Sequence, residues 1–334
     1  MSRTLKDLNI ERKSEYQKDR NIEDFFQSMN SALQTIEKSQ YRDFKIKHPF
    51  LFVIGLPRSG TTLLSQILAY SLDVGYINNL MSRFWLAPLH GIRLSKNLIG
   101  EEKKSDFNSN YARTSYISDI HEFGYFWRYW LKKETFDDVT YVKEREKNID
   151  WKELRKVLST IQVEFNKTMI FKNIFGSYHM LKLKNLLQKV LYIYIERDTL
   201  DVAISILEAR EKYYEDLNTW WSYQPIEYEQ IKNMDYWHQI AGQIYFLKRF
   251  YAKQAKLCGG KYVLKISYKT LCTNPMEVLE LIQEHIQSIL SYELKIVHRI
   301  KTSFPYRVYS DRSDEKEKFN NLLGEFKKTY GELL

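Results

Sequence analysis

Four short apolar runs separate long stretches of mixed polar and apolar residues, and each predicts a buried β-strand. They cover residues 50–54, 168–171, 190–196 and 262–266. Between them, apolar residues recur at helical spacing, first in the stretch that contains Leu63, Leu64, Ile67, Leu68 and Leu72. Strands that alternate with helices predict an α/β fold with a mostly parallel central sheet and right-handed crossovers.

Helical spacing continues along the rest of the chain. It predicts helices over 178–188, from Leu200 onward, and through 240–255 to an end near Gly259 and Gly260. A further helix is expected to begin at Pro275, with Asn274 as its N-cap and Glu277 as the capping-box partner.

Two regions differ from the alternating pattern. Residues 1–47 are highly charged, and they predict a peripheral helical segment whose apolar positions are Phe25, Phe26, Met29, Leu33 and Ile36. Residues 73–165 have few strand signals and many aromatics, which predicts helices and loops inserted over one edge of the sheet. We expect residues 48–334 to form one α/β domain, because no repeat or linker interrupts them.

Composition narrows the function classes. The 334 residues carry a formal net charge of +9 and are 44% apolar, which is ample for a buried core. Lysines are dispersed rather than clustered, so we expect no nucleic-acid partner. No apolar stretch suits a membrane span or a secretory signal, and two cysteines fit a reducing compartment, so we expect a cytoplasmic protein. No Cys, His, Asp or Glu spacing indicates a metal site.

The loop between Gly55 and Gly60 is the strongest chemical signal. It joins a predicted strand to a predicted helix, an arrangement in which backbone N–H groups converge on a phosphate. A Walker A loop would continue with lysine after Gly60, but Thr61 and Thr62 follow, and the basic residue is Arg58. The pattern favours a phosphate-bearing ligand without the lysine used to split a nucleoside triphosphate.

The segment Gly-Leu-Pro-Arg-Ser-Gly-Thr-Thr-Leu, residues 55–63, resembles the 5′-phosphosulfate loop of sulfotransferases that use 3′-phosphoadenosine 5′-phosphosulfate (PAPS). The arginine form looks more like the tyrosylprotein and bacterial carbohydrate branches than the cytosolic aryl type. A second segment, residues 197–205, is similar to the family's 3′-phosphate motif, with Thr199 in place of the usual proline. A third segment, residues 262–275, is similar to the family's strand followed by a tyrosine that lies near the adenine. Lys269 and Thr270 replace the two acidic residues that follow this tyrosine in the family.

The resemblance implies a three-layer, P-loop-like fold and a set of PAPS-binding residues. They are Arg58, Ser59, Gly60, Thr61 and Thr62 for the phosphosulfate, Arg197 and Ser205 for the 3′-phosphate, and Tyr268 near the adenine. Arg307 lies in a C-terminal loop where the family has a basic signature, which is missing here. We expect Asp201 to be the structural partner of Arg197.

The sequence offers fewer candidates for catalytic residues than for PAPS-binding residues. The resemblance implies that Lys172, at a strand end, lies near the transferred sulfuryl group. Where the tyrosylprotein branch has a glutamate base, this chain has Asn78 and Asn79, which cannot accept a proton. The nearest titratable alternatives are His121 and Glu122, set among aromatic residues.

The expected function is sulfuryl transfer from PAPS, leaving 3′-phosphoadenosine 5′-phosphate (PAP), to a hydroxyl or an amine. The acceptor is expected to be a carbohydrate or small metabolite. A P-loop kinase of small molecules and a non-catalytic nucleotide-binding protein are the alternatives.

Overall fold

Five parallel strands form one sheet in the computed structural model, which describes residues 9–100, 102–108, 114–133, 142–172 and 174–332. The strands are β1 (Phe50–Gly55), β2 (Val74–Tyr76), β3 (Thr168–Lys172), β4 (Val190–Glu196) and β5 (Val263–Ser267). Their order across the sheet is β2-β3-β1-β4-β5. The predicted α/β class is confirmed, and β2 is the one strand of this sheet that the sequence pattern missed.

Helices connect the strands and cover both faces of the sheet. In chain order the α-helices are α1 (Arg20–Lys38), α2 (Thr61–Ser71), α3 (Pro88–Ile99), α4 (Gly124–Trp130), α5 (Val142–Lys147), α6 (Trp151–Phe165), α7 (Met180–Leu187), α8 (Thr199–Tyr213), α9 (Tyr228–Ile231), α10 (Tyr236–Cys258), α11 (Tyr268–Thr273), α12 (Pro275–Leu290) and α13 (Ser313–Tyr330).

The sheet is buried on both faces, which explains why its strands are continuously apolar rather than alternating. All six residues of β1 are buried. Phe50 and Phe52 face a core that includes residues of α6, α7, α8 and α10, whereas Leu51 and Val53 face a second core with α2, α11 and α12. The result is the three-layer arrangement of helices, sheet and helices.

The strand register brings the predicted site loops to one edge. Strand β1 lies between β3 and β4, with Phe50 opposite Met169 on one side and Val190 on the other. Because all strands are parallel, the residues that follow β1, β3, β4 and β5 emerge at the same carboxyl edge. Ligands of open parallel sheets bind at this edge.

Helix α1 attaches to the body through polar side chains as well as through part of the predicted apolar face, since Phe26 packs against the core and Met29 and Leu33 are half-buried. Phe25 and Ile36 are 62% and 59% exposed, whereas Asn30 and Glu37 are fully buried. The Asn30 amide donates to the Arg83 carbonyl at 2.7 Å and accepts from the Leu86 N–H at 2.8 Å. The helix is therefore fixed against residues 83–90, and residues 1–8 of the predicted N-terminal segment lie outside the described part.

Two helix ends agree with the sequence, and one predicted helix cap does not. Helix α10 ends at Cys258, and Gly259 follows with φ of +79°, as expected for a glycine stop. Helix α12 begins at Pro275 as predicted. The capping box is wrong, because the Asn274 amide donates to the Glu277 carboxylate at 3.2 Å and caps no backbone N–H.

Candidate active site

The loop after β1 has a fixed and unusual shape. The N–H and the hydroxyl of Ser59 both donate to the Leu56 carbonyl, at 3.2 and 2.8 Å. Arg58 has φ of +67°, and Gly60 has φ of +101° as the N-cap of α2. A Cβ at Gly60 would lie 2.4 Å from the Tyr268 ring, so only glycine fits here. Ser59 thus holds the loop closed and directs neither polar group outward.

Arg58 and Arg197 lie next to each other at the sheet edge. The Arg58 Nε donates to the Ser205 hydroxyl at 2.9 Å. The Arg197 guanidinium donates to the Arg58 carbonyl at 3.1 Å and to the Arg307 carbonyl at 2.7 Å. The Arg197 Nε is buried without a hydrogen-bond partner. Arg197 therefore ties the loop to the C-terminal segment and still has an unused donor.

The expected pairing of Arg197 with Asp201 is wrong. The Asp201 carboxylate accepts from the Lys316 ammonium at 2.6 Å and from the Tyr309 N–H at 3.2 Å. Among the described residues, no carboxylate forms an ion pair with Arg197. Its positive charge is instead placed over aromatic rings, with its guanidinium carbon 4.9 Å from the Tyr268 ring centroid.

Tyr268 and Arg307 complete this side of the site. Burial raises the pKa of Tyr268 to about 12, so the phenol is neutral. The Arg307 guanidinium pairs with Glu208 at 2.9 Å, while its backbone carbonyl holds Arg197. The Arg307 side chain is thus committed to a surface ion pair.

A cavity of about 600 Å³ opens between these residues. The predicted residues that line it are Arg58, Gly60, Thr61, Thr62, Glu122, Lys172, Arg197, Tyr268 and Arg307. Ser59 and Ser205 do not line it, and Ser205 is fully buried beneath Arg58. Ser205 could contact a ligand only if its hydrogen bond with Arg58 opened.

Lys172 joins two predicted parts of the site. Its ammonium donates to the Thr62 hydroxyl at 2.7 Å and pairs with the Glu122 carboxylate at 2.6 Å. Lys172 is only 5% exposed, so desolvation strengthens both contacts. The loop after β1 and the aromatic region before α4 therefore meet at one ammonium group.

His121 is uncharged in this arrangement. Its Nδ1 accepts the Phe123 N–H at 2.9 Å, which places the proton on Nε2. Burial lowers the His121 pKa to about 4, an effect opposed by Glu122 and reinforced by Arg83 and Lys172. At neutral pH the ring therefore acts as a hydrogen-bond acceptor for the backbone.

Asn78 and Asn79 stabilise local structure. The Asn78 amide donates to Ser95 at 2.8 Å and accepts the Met81 N–H at 2.9 Å. The Asn79 amide donates to the Thr114 hydroxyl and to the Tyr116 carbonyl. Both side chains hold neighbouring loops in place.

A second cavity of about 810 Å³ adjoins the first. Four residues line both cavities: Arg12, Lys18, Glu122 and Arg128. Sequence reasoning missed Arg12, Lys18 and Arg128, since isolated cations in a basic chain give no signal of their own. The N-terminal segment, predicted as peripheral, thus supplies part of the cavity wall.

Within the described ranges, no group of His, Cys, Asp and Glu side chains is arranged to hold a metal ion. Nor does any described helix combine the length and apolar character that crossing a membrane requires.

An all-parallel sheet with a phosphate-type loop at its carboxyl edge defines a P-loop-like α/β protein. The sulfotransferase family model matches residues 49–290, and the chain belongs to this family. A search of curated protein sequences finds no match.

A solved bacterial sulfotransferase, STF9, shares the fold. The chain is 15% identical to sulfotransferase STF9 from Mycobacterium avium, with a TM-score of 0.52 over 93% of this chain and 85% of that one. It is 17% identical to STF1 from Mycobacterium tuberculosis H37Rv, with a TM-score of 0.47 over 76% and 72% of the two chains. The predicted P-loop-like fold is confirmed.

Proposed function

We propose that the protein transfers a sulfuryl group from PAPS to a hydroxyl of a small molecule or carbohydrate. The observation that carries this proposal is the position of Lys172, between Thr62 of the phosphate-type loop and Glu122 at the junction of the two cavities. A donor in one cavity and an acceptor in the other would meet at this ammonium.

The smaller cavity suits an anionic nucleotide. Arg58 and Arg197 supply fork-shaped cationic donors, and the buried Arg197 Nε still lacks a partner. Gly60, Thr61 and Thr62, at the start of α2, line the same cavity, so the positive end of the helix dipole adds to its attraction for an anion. PAPS, when bound, supplies the sulfuryl group and its leaving phosphate.

Two side chains then have distinct tasks. Lys172 offsets negative charge on the oxygen that departs from sulfur. Glu122 accepts the proton of the attacking hydroxyl, since its carboxylate reaches both cavities. We assign the role of general base to Glu122 rather than to His121, because the Nδ1 lone pair of His121 already accepts the Phe123 N–H.

Calorimetry tests the donor site. PAP should bind more tightly than 5′-AMP, and Arg197→Gln should remove about tenfold to a hundredfold of that preference, the value of a charge-assisted contact. Arg299→Gln, on an exposed arginine that lines neither cavity, is the matched control. Equal binding of PAP and 5′-AMP, or tighter binding of ATP with magnesium, would contradict the proposal and favour a kinase.

Turnover with an identified acceptor tests the base. Glu122→Gln should keep PAP affinity and lose about 10²–10⁴-fold in rate. His121→Gln should retain most of the rate. Normal turnover by Glu122→Gln would show that the proton leaves by another route.

A further inference from the structure

The larger cavity holds more positive charge than its own carboxylates neutralise. Its lining cations are Arg12, Lys18, Arg20, Arg83 and Arg128, and its lining carboxylates are Glu23, Asp24 and Glu122. All three carboxylates already have partners: Glu23 pairs with Lys18 at 3.1 Å, Glu122 pairs with Lys172 at 2.6 Å, and Asp24 has a contact of its own. Within the described part of the chain, neither Arg83 nor Arg128 forms an ion pair with any of these carboxylates.

Arg128 is the most enclosed of these cations. Its guanidinium donates to the Lys133 carbonyl at 3.2 Å and lies 4.9 Å from the Phe175 ring centroid. It forms no ion pair with a described residue. Burial lowers the Arg128 pKa to about 10, so the group is charged at neutral pH although it is partly desolvated. A desolvated guanidinium without a carboxylate is costly unless a ligand anion completes it.

Arg83 adds a second unpaired guanidinium. It lies 5.1 Å from the Phe26 ring centroid, and its side chain forms no hydrogen bond or ion pair with any residue that the structure describes. Arg83 lines the same cavity as His121 and Glu122. Two forked donors are therefore available on the walls around Glu122.

Flat apolar surface lies beside these charges. The rings of Trp85 and Tyr125 line the cavity with centroids 4.8 Å apart. The Tyr125 hydroxyl is held by Glu23 and by Lys18, so its ring orientation is fixed. Aromatic faces of this kind pack against sugar or phenol rings.

Residues 9–18 close the cavity as a strap. Asn9 and Lys18 exchange two hydrogen bonds, of 3.0 and 2.8 Å, which close the segment on itself. The Lys13 N–H donates to the Tyr213 carbonyl at 2.9 Å, and Tyr16 stacks on Tyr213 at 4.3 Å. The strap lies outside the residues 49–290 that match the family model.

We propose that the acceptor is a ring compound that carries an oxyanion, bound by Arg83 and Arg128, with its reacting hydroxyl at Glu122. The ring packs against Trp85 and Tyr125. This inference rests on the proposed function for the role of Glu122, whereas the oxyanion site rests on the cavity alone. Carboxylate, sulfonate and phosphate share the required chemistry.

Matched acid and neutral probes test the oxyanion site by calorimetry, with and without PAP. The pairs are 4-hydroxyphenylacetate with its amide, 4-hydroxybenzenesulfonate with the sulfonamide, and glucose 6-phosphate with glucose. At least one acid should bind about tenfold to a hundredfold more tightly than its neutral partner, as a charge-assisted contact predicts. The pair with the largest difference identifies the source of the anion.

Arginine variants test which side chains cause the preference for acids. Arg83→Gln and Arg128→Gln should each remove most of the acid preference, whereas Arg299→Gln should keep it. An unchanged urea-unfolding midpoint verifies that each variant is folded, and Arg128→Lys supports the test if Arg128→Gln does not fold. Equal binding of every acid and its neutral partner, no binding of any acid at millimolar concentration, or no effect of either arginine variant would overturn the inference. If the wild type does not bind PAP but still prefers the acids, the proposed function is overturned and the oxyanion site is not.

Discussion

Replacing Gly60 with alanine should destabilise the protein through two separable effects. The first is the backbone, because φ of +101° is unfavourable for any residue with a Cβ. The second is contact, because the new Cβ would lie 2.4 and 2.6 Å from two atoms of the Tyr268 ring. That ring is held between Arg197 at 4.9 Å and Tyr306 at 5.6 Å, so it cannot move aside freely.

The magnitudes are additive to a first approximation. The backbone effect costs about 1–2 kcal/mol. Forced overpacking costs a further ~1–3 kcal/mol. Gly60→Ala should therefore lower the free energy of unfolding by about 2–5 kcal/mol.

Urea unfolding of four proteins separates the two effects: wild type, Gly60→Ala, Tyr268→Ala and the double variant. With Tyr268 truncated, Gly60→Ala should cost only the backbone part of about 1–2 kcal/mol. Gly324→Ala is the control, because Gly324 lies inside α13 with open space around it, and alanine there should stabilise by about 0.5–1 kcal/mol. If Gly60→Ala costs the same in both Tyr268 backgrounds, the steric reasoning is wrong.

Two further predictions concern charge. Because the folded pKa of His121 is about 4 and its ordinary value is near 6.5, the unfolded chain binds more protons between these pH values. Stability should fall by at most about 3 kcal/mol as pH drops through this window, and His121→Gln should flatten that part of a urea-unfolding pH series. Lys316→Met leaves the buried Asp201 carboxylate without its ammonium and should cost about 1–3 kcal/mol in thermal or urea unfolding. Lys327→Met, at an exposed pair 3.7 Å apart, should change stability little, and equal effects of the two would refute the reasoning.

The sequence predicted those parts of the fold that follow from local patterns. Strands β1 and β4 are buried on both faces, so their apolar runs are complete and unambiguous. Strand β2 has three residues and gives no measurable period. Helix α13 was not predicted, because its buried residues Phe319, Leu322 and Phe326 are scattered through a strongly charged stretch.

Site residues that lie next to one another in the sequence could be predicted, whereas those that come together only in the folded structure could not. The loop from Gly55 to Thr62 was found because all its parts lie side by side in the chain. Asp201 was given the wrong partner because Lys316 is remote in sequence and reaches it only through the packing of α13. The cavity wall at Arg12 and Lys18 is likewise a product of tertiary contacts, which no local pattern records.

The position of β1 in the sheet has a consequence for how the chain is made. Phe50 to Gly55 leave the ribosome before either flanking strand, because β3 and β4 follow later in the chain, and Phe50 pairs with Val190. About 140 residues must be synthesised in between, which takes roughly 7–28 s at ordinary translation rates.

For most of that interval, until β3 is made, this wholly apolar strand has neither neighbour available. An unpaired segment of this kind is prone to aggregate, and it is the kind of sequence that general chaperones hold. The central position that places the phosphate-type loop in the middle of the site thus leaves β1 without a pairing partner during much of the synthesis of the chain.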